Sequence, residues 1–129
     1  LEDVIDIASH LVGTPYRWGG KSSLGFDCSG LVQSVLKICG LQIPRDAKDQ
    51  KTFFKNDQIN LIDARPGDLH FFGSQNKVTH VGFSTKGAGI LHAQGTVRFD
   101  SIDPSKKKHN QKLLDIYLSS HSIRRKFQR

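Results

Sequence analysis

Cys28 stands between Asp27 and Ser29 in the stretch GFDCSGLVQS, where an apolar helical pattern begins. A free thiol titrates near pH ~8.5, so at neutral pH little of it is thiolate. A helix N-terminus and a neighbouring imidazolium both favour the thiolate, and together they make a cysteine nucleophilic. Position alone leaves two readings of Cys28 open, a small packed thiol or a nucleophile. Cys39 falls at the far end of the same apolar stripe and reads as a small core residue. On one helix the two cysteines are about 16 Å apart. A disulfide tolerates only about 7 Å between Cα atoms, so they do not read as a staple.

Cys–His is the usual activated pair, and six histidines could supply the partner. His10 lies at the edge of a helical face, His109 in a Lys-rich loop and His121 in a basic tail, so these three read as solvent-facing. His80 and His92 each lie in an alternating strand pattern, and each is six residues from Lys86 in the intervening turn. A hairpin centred there makes them cross-strand neighbours on one face. A nucleophile at a helix start, a base on a strand and an orienting group on the next strand form a triad by role. Two other readings stand beside it. The histidines could be a satisfied pair on a half-buried sheet, or they could join Cys28 as three zinc ligands. No CxxC or HxxxH pair accompanies them, which makes zinc the weaker chemistry. By alternation His70 shares a face with Phe72, opposite Leu69 and Phe71, and reads as a buried or supporting residue.

These residues need elements to hold them. Val4, Ile7, Ala8 and Leu11 recur at helical spacing, so Leu1 to Gly13 reads as a helix ended by Gly13 and Pro15. TPYRWGGKSSLG follows as a loop of the kind that carries binding residues. From Cys28 to Cys39 a second helix carries Leu31, Val32, Val35 and Leu36 on one stripe, with Asp27 as N-cap and Gly40 as stop. A shorter helix is expected from Arg45 to about Lys55. DLHFF, VTHVGFST, GILHAQG and TVRFDSI alternate as strands, separated by turn residues. The tail from Leu113 to Phe127 is expected to hold a helical turn and a last strand. Helices first and antiparallel strands after them argue for an α+β fold.

The chain has 129 residues, which suits one domain with its own core. No apolar run approaches the ~18 residues of a membrane span. The sequence starts at Leu1 and contains no Met, which points to a fragment or processed part of a longer chain. The formal net charge is +7, concentrated in Lys106–Lys108 and in Arg124, Arg125, Lys126 and Arg129. Such clusters suit solvated surface or an anionic partner. Aromatic residues do not interleave with the lysines, which argues against a single-stranded nucleic-acid platform. No Gly-rich phosphate loop is present.

In order, PYRWGG, GFDCSGLVQ, IPRDAKDQ, RPGDLHFF, THVGF and LHAQG resemble the NlpC-type family of papain-like cysteine peptidases, from about Thr14 to Gly95. The resemblance implies a single papain-like catalytic domain that hydrolyses peptidoglycan stem peptides at the bond between γ-D-glutamate and a diamino acid. It makes Cys28 the nucleophile, His80 the base and His92 the residue that orients His80. It places Asp27, Ser29, Tyr16 and Arg45 on the substrate, Asp27 meeting a free amino terminus, and Trp18 as packing support. It implies a monomer acting on stem peptides or muropeptides, with no cofactor, no metal and no nucleic acid. It suggests the bacterial envelope or secretion, with cytoplasmic peptide recycling as the other setting. The alternatives are a papain-like amidase or acyltransferase, and a non-catalytic wall-binding module. The family's frequent β-barrel wall-binding domain has no counterpart in this sequence, and His70 stands where an apolar residue is commoner.

Overall fold

The computed structural model describes residues 3–22, 25–75 and 77–127. Three helices lead the chain: α1 (Asp3–Ser9), α2 (Cys28–Ile38) and α3 (Ala47–Phe53). Between the first two lies a small ribbon of β1 (Lys21–Ser22) and β2 (Gly25–Phe26). The strands β3 (Gln58–Ile59), β4 (Leu69–Ser74), β5 (Lys77–Lys86), β6 (Gly89–Gln94), β7 (Thr96–Ser101) and β8 (Tyr117–His121) form one antiparallel sheet. Its order is β3-β8-β4-β5-β6-β7. Short helices α4 (Gln111–Asp115) and α5 (Arg124–Phe127) flank β8. The α+β reading of the sequence holds. The first helix is shorter than its apolar spacing suggests, ending at Ser9 in a run of turns, and Leu1 and Glu2 lie outside the described residues.

Alternation divides the sheet into two faces. Leu69, Phe71, Val81, Phe83, Leu91, Ala93 and Val97 face the three leading helices and form the main core with Val4, Ala8, Leu31, Val32, Val35 and Leu36. Each fully buried aliphatic or aromatic side chain contributes on the order of 1.5–3 kcal/mol by leaving water. The opposite face carries His70, Phe72, His80, His92 and Asp100, and a second core of Phe72, Ile90, Ile102 and Leu113 lies over it.

The helix that carries Cys28 is fixed at both ends by local chemistry. Asp27 Oδ1 accepts from the Gly30 amide at 2.6 Å, closing the N-terminus. At the other end Gly40 adopts φ +97°, which glycine enters without a Cβ penalty. The Gly40 amide then donates to Lys37 and the Leu41 amide to Leu36, which is a Schellman closure. Leu41 folds back into the core beside it.

Candidate functional site

Cys28 is the first residue of α2 and only 8% exposed. Its thiol is pushed up from the ordinary value, and burial is the largest cause. Backbone hydrogen bonds at Val81, Ser29 and Cys28 itself oppose the shift, while the Asp27 carboxylate adds to it. Burial thus works against the thiolate that a helix start favours. A helix N-terminus favours the anion by up to about 1 kcal/mol, and here desolvation is the larger effect. The Val81 contact also sets Cys28 against β5 one residue beyond His80.

His80 and His92 meet, but not in the expected register. The β5–β6 ladder pairs Phe83 with Leu91 and Ser84 with Ile90. Continued, it sets His92 across from Gly82, two residues from His80. An offset of two keeps both rings on one face, whereas an offset of one would have parted them. Gly82 makes the diagonal contact possible. A Cβ at that position would lie 2.8 Å from the Cβ of His92 and 2.6 Å from Cδ1 of Ile90. Nε2 of His80 and Nδ1 of His92 are 2.7 Å apart, with the rings edge to face. The chain continues beyond them, since Nε2 of His92 is 2.8 Å from Oδ2 of Asp100. Arg98, directly across from His92 on β7, donates from Nη2 to Asp100 Oδ1 at 3.2 Å, and its Nε forms an ion pair with Oδ2 at 3.0 Å.

Both imidazoles are held below the usual histidine range. For His80 the cause is burial and then repulsion from His92; for His92 it is burial, opposed by the hydrogen bond and charge of Asp100. His92 is fully buried, while His80 is partly buried. Among the described residues no group of His, Cys, Asp and Glu is arranged to hold a metal ion, so the zinc reading of Cys28, His80 and His92 finds no geometry to rest on.

Tyr16, Asp27, Ser29 and Arg45 gather around the thiol. The Gly13–Tyr16 segment is pinned to β7 and its turn by Gly13 N–H to Val97 O, Val97 N–H to Thr14 O and Tyr16 N–H to Gly95 O. That brings the Tyr16 phenol close enough to Cys28 and Asp27 for both charges, after burial, to raise its pKa. Arg45 donates from Nη2 to Asp27 Oδ2 at 2.8 Å and from Nη1 to Ser29 Oγ at 2.9 Å. Asp27 also receives the Gly19 amide at 3.0 Å. Gln50, fully buried on α3, donates to the carbonyls of Ser29 at 3.1 Å and Pro44 at 2.9 Å, and so ties the start of α2 to the Arg45 segment. Trp18 is 89% exposed, which overturns its reading as packing support.

Asp100 and Gln50 escaped the sequence reading. Gln50 closes the segment IPRDAKDQ, but nothing local shows where its amide points. Asp100 could have been found from Gly95, which turns at φ +75° and pairs Gln94 with Thr96. That register sets Arg98 against His92 and Asp100 two residues further on the same face. Two other histidines depart from expectation or sharpen it. His121 is buried rather than solvated, with Ser119 Oγ donating to Nε2 at 2.9 Å and Nδ1 donating to the Phe54 carbonyl at 2.8 Å. His70, buried as read, supports the β5–β6 turn by donating from Nε2 to the Gly87 carbonyl at 2.8 Å and accepting from Ser120 at Nδ1 at 2.7 Å. Cys39 caps α2 half-buried at the core's margin instead of inside it, and both cysteines are free.

Residues 13–117 match the NlpC/P60 family. The chain is 42% identical over 98 residues to a Bacillus subtilis gamma-D-glutamyl-L-lysine dipeptidyl-peptidase, covering 74% of this chain and 32% of that protein. It is 42% identical over 104 residues to the Bacillus subtilis bifunctional muramidase/DL-endopeptidase CwlT, covering 71% and 31%. The chain thus spans about a third of the length of these curated relatives. The crystal structure of the NlpC/p60 domain of the peptidoglycan hydrolase SagA superposes with a TM-score of 0.76 at 30% identity, covering 93% of this chain and 96% of that one.

Proposed function

The chain belongs to the NlpC/P60 family, and from that premise we propose that it is a cysteine endopeptidase that hydrolyses peptidoglycan stem peptides at the γ-D-glutamyl–diamino acid bond. The observation that carries the reading is the hydrogen-bonded line from His80 to His92, at 2.7 Å, together with a cysteine that opens a helix and meets the backbone of Val81, the neighbour of His80. The relatives named as peptidases of γ-D-glutamyl-L-lysine and as a DL-endopeptidase support the substrate class.

The reaction follows from the protonation states. Cys28 starts as a thiol and His80 as a neutral imidazole. His80 takes the thiol proton as Sγ attacks the amide carbon, so no standing thiolate is required. Charge develops on the carbonyl oxygen, and the free amides at the start of α2 are the donors available to it. The His80 imidazolium then protonates the departing amine, the C–N bond breaks, and a thioester remains on Cys28. Water, deprotonated by His80, cleaves the thioester and restores the thiol. His92 holds the His80 ring through both halves.

The test is mass spectrometry of a defined stem peptide after incubation. The wild-type chain should cut it between γ-D-glutamate and the diamino acid, and Cys28→Ala and His80→Ala should not. A fully active Cys28→Ala would overturn the mechanism. A chain that sediments with wall material but cuts nothing would instead be a binding module, and capture of the acyl group by an added amine in preference to water would make it a transferase.

A further inference from the structure

Asp100 lies one hydrogen bond beyond His92 and takes no part in the chemistry set out above. We propose that Asp100 is a positioning residue that, acting through His92, fixes the protons of both imidazoles and leaves Nδ1 of His80 as the bare nitrogen. This rests on the reading of His80 as the base.

An ionised carboxylate only accepts hydrogen bonds. Both oxygens of Asp100 face donors, with Arg98 on each and His92 Nε2 at 2.8 Å on Oδ2. Asn110, the N-cap of α4, adds a long contact to Oδ2 at 3.5 Å. Nε2 of His92 therefore carries a proton. The buried His92 ring is held neutral and has only that one N–H, so its Nδ1 is an acceptor. The 2.7 Å contact then requires Nε2 of His80 to donate. The neutral His80 ring has its single proton committed there, and Nδ1 is left without one. Nδ1 is thus the nitrogen able to receive the proton of Cys28: the S–H bond breaks, an Nδ1–H bond forms, and the new positive charge sits two hydrogen bonds from the Asp100 anion.

Removing the carboxylate opens the opposite arrangement. With Nδ1–H on His92, that nitrogen donates to Nε2 of His80, and the His80 proton moves to Nδ1. A base protonated at the wrong nitrogen cannot accept from the thiol. Packing alone has no such consequence, so the tautomer distinguishes a positioning role from a structural one.

The test uses the chain with 15N-labelled histidine and two-bond 1H–15N correlation spectra at neutral pH. Wild type should show both histidines protonated at Nε2 and bare at Nδ1, and Asp100→Ala should shift both toward the other tautomer. On a stem peptide, Asp100→Ala should lower kcat about tenfold with little change in KM, and by no more than about twofold when His92 is already Ala. A His80 protonated at Nδ1 in wild type, an unchanged tautomer in Asp100→Ala, or an equal loss in both backgrounds would overturn the proposal. The spectra need no substrate. The expected tautomers without peptide cleavage would sink the peptidase reading alone, and cleavage with inverted tautomers would sink this one alone.

Discussion

Nε2 of His80 reaches Nδ1 of His92 at 2.7 Å although the two residues are diagonal, not opposite, in the β5–β6 hairpin. The contact depends on Gly82, which leaves open the space beside the His92 Cβ that any added Cβ would fill. A glycine inside a strand weakens it, and the close approach of His92 is what this one permits.

Gly82→Ala should therefore act on activity and on stability together. The added methyl meets Cβ of His92 and Cδ1 of Ile90, and overpacking of this kind costs about 1–3 kcal/mol. The expected result is a lower urea midpoint with a kcat that falls more than tenfold, because the histidine contact is displaced. Activity assays alongside urea unfolding check both.

His92→Ala should be milder than His80→Ala. In the proposed reaction His80 moves the proton, whereas His92 holds the ring that does, and solvent partly replaces an orienting group. Loss of His80 should remove the 10²–10⁴-fold or so that a general base supplies. Loss of His92 should cost roughly one order of magnitude less, mainly in kcat. Steady-state kinetics on one stem peptide separates the two.

Arg45 pairs with Asp27 at the start of α2. The carboxylate already takes Arg45, Gly30 and Gly19, and the guanidinium cancels its charge at 2.8 Å. A free ammonium on the substrate thus meets no net negative charge, so wild type should cut stem peptides with free and acetylated L-Ala ends at similar kcat/KM. Arg45→Ala uncovers Asp27 and should favour the free amine, by up to about tenfold for ~1.4 kcal/mol of new Coulomb energy. The ratio of kcat/KM for the two peptides reads this directly.

Stability should fall on the acid side through histidines held neutral. His70 is fully buried, and burial pushes it down to about 4. Unfolded, it titrates near ~6.5, so between the two values the unfolded chain binds the extra proton. Its contribution is complete above pH ~6.5 and is lost as pH falls toward 4, on the order of 3 kcal/mol in all. His92 and His121 are lowered too and add to the same slope. Urea midpoints measured across this range should fall with pH, and His70→Gln should flatten the slope by up to about 1.4 kcal/mol per pH unit.

The start of α2 was legible because its signals are local. Asp27, the apolar stripe and Gly40 all act within one or two turns, and the structure repeats them residue for residue. The pairing of His80 with His92 was legible in its face but not its register, since a slip of two residues leaves parity unchanged. Residues whose surroundings come from distant strands were not. His121 read as solvated because its neighbours in sequence are basic, yet β8 inserts between β3 and β4 and buries it. Asp100 lay beyond the recognisable segments, and only the β6–β7 ladder carries it to His92. Trp18 shows the converse, an aromatic that the fold leaves in solvent.

The proposed reaction turns on acylation of Cys28 by a stem peptide. Wild-type chain should be mixed with a defined stem peptide, quenched in acid within a turnover and digested for mass spectrometry. The peptide containing Cys28 should gain the mass of the acyl fragment that ends in γ-D-glutamate, and the one containing Cys39 should not. Product release with Cys28 unmodified at every quench time, and undiminished in Cys28→Ala, would contradict the account.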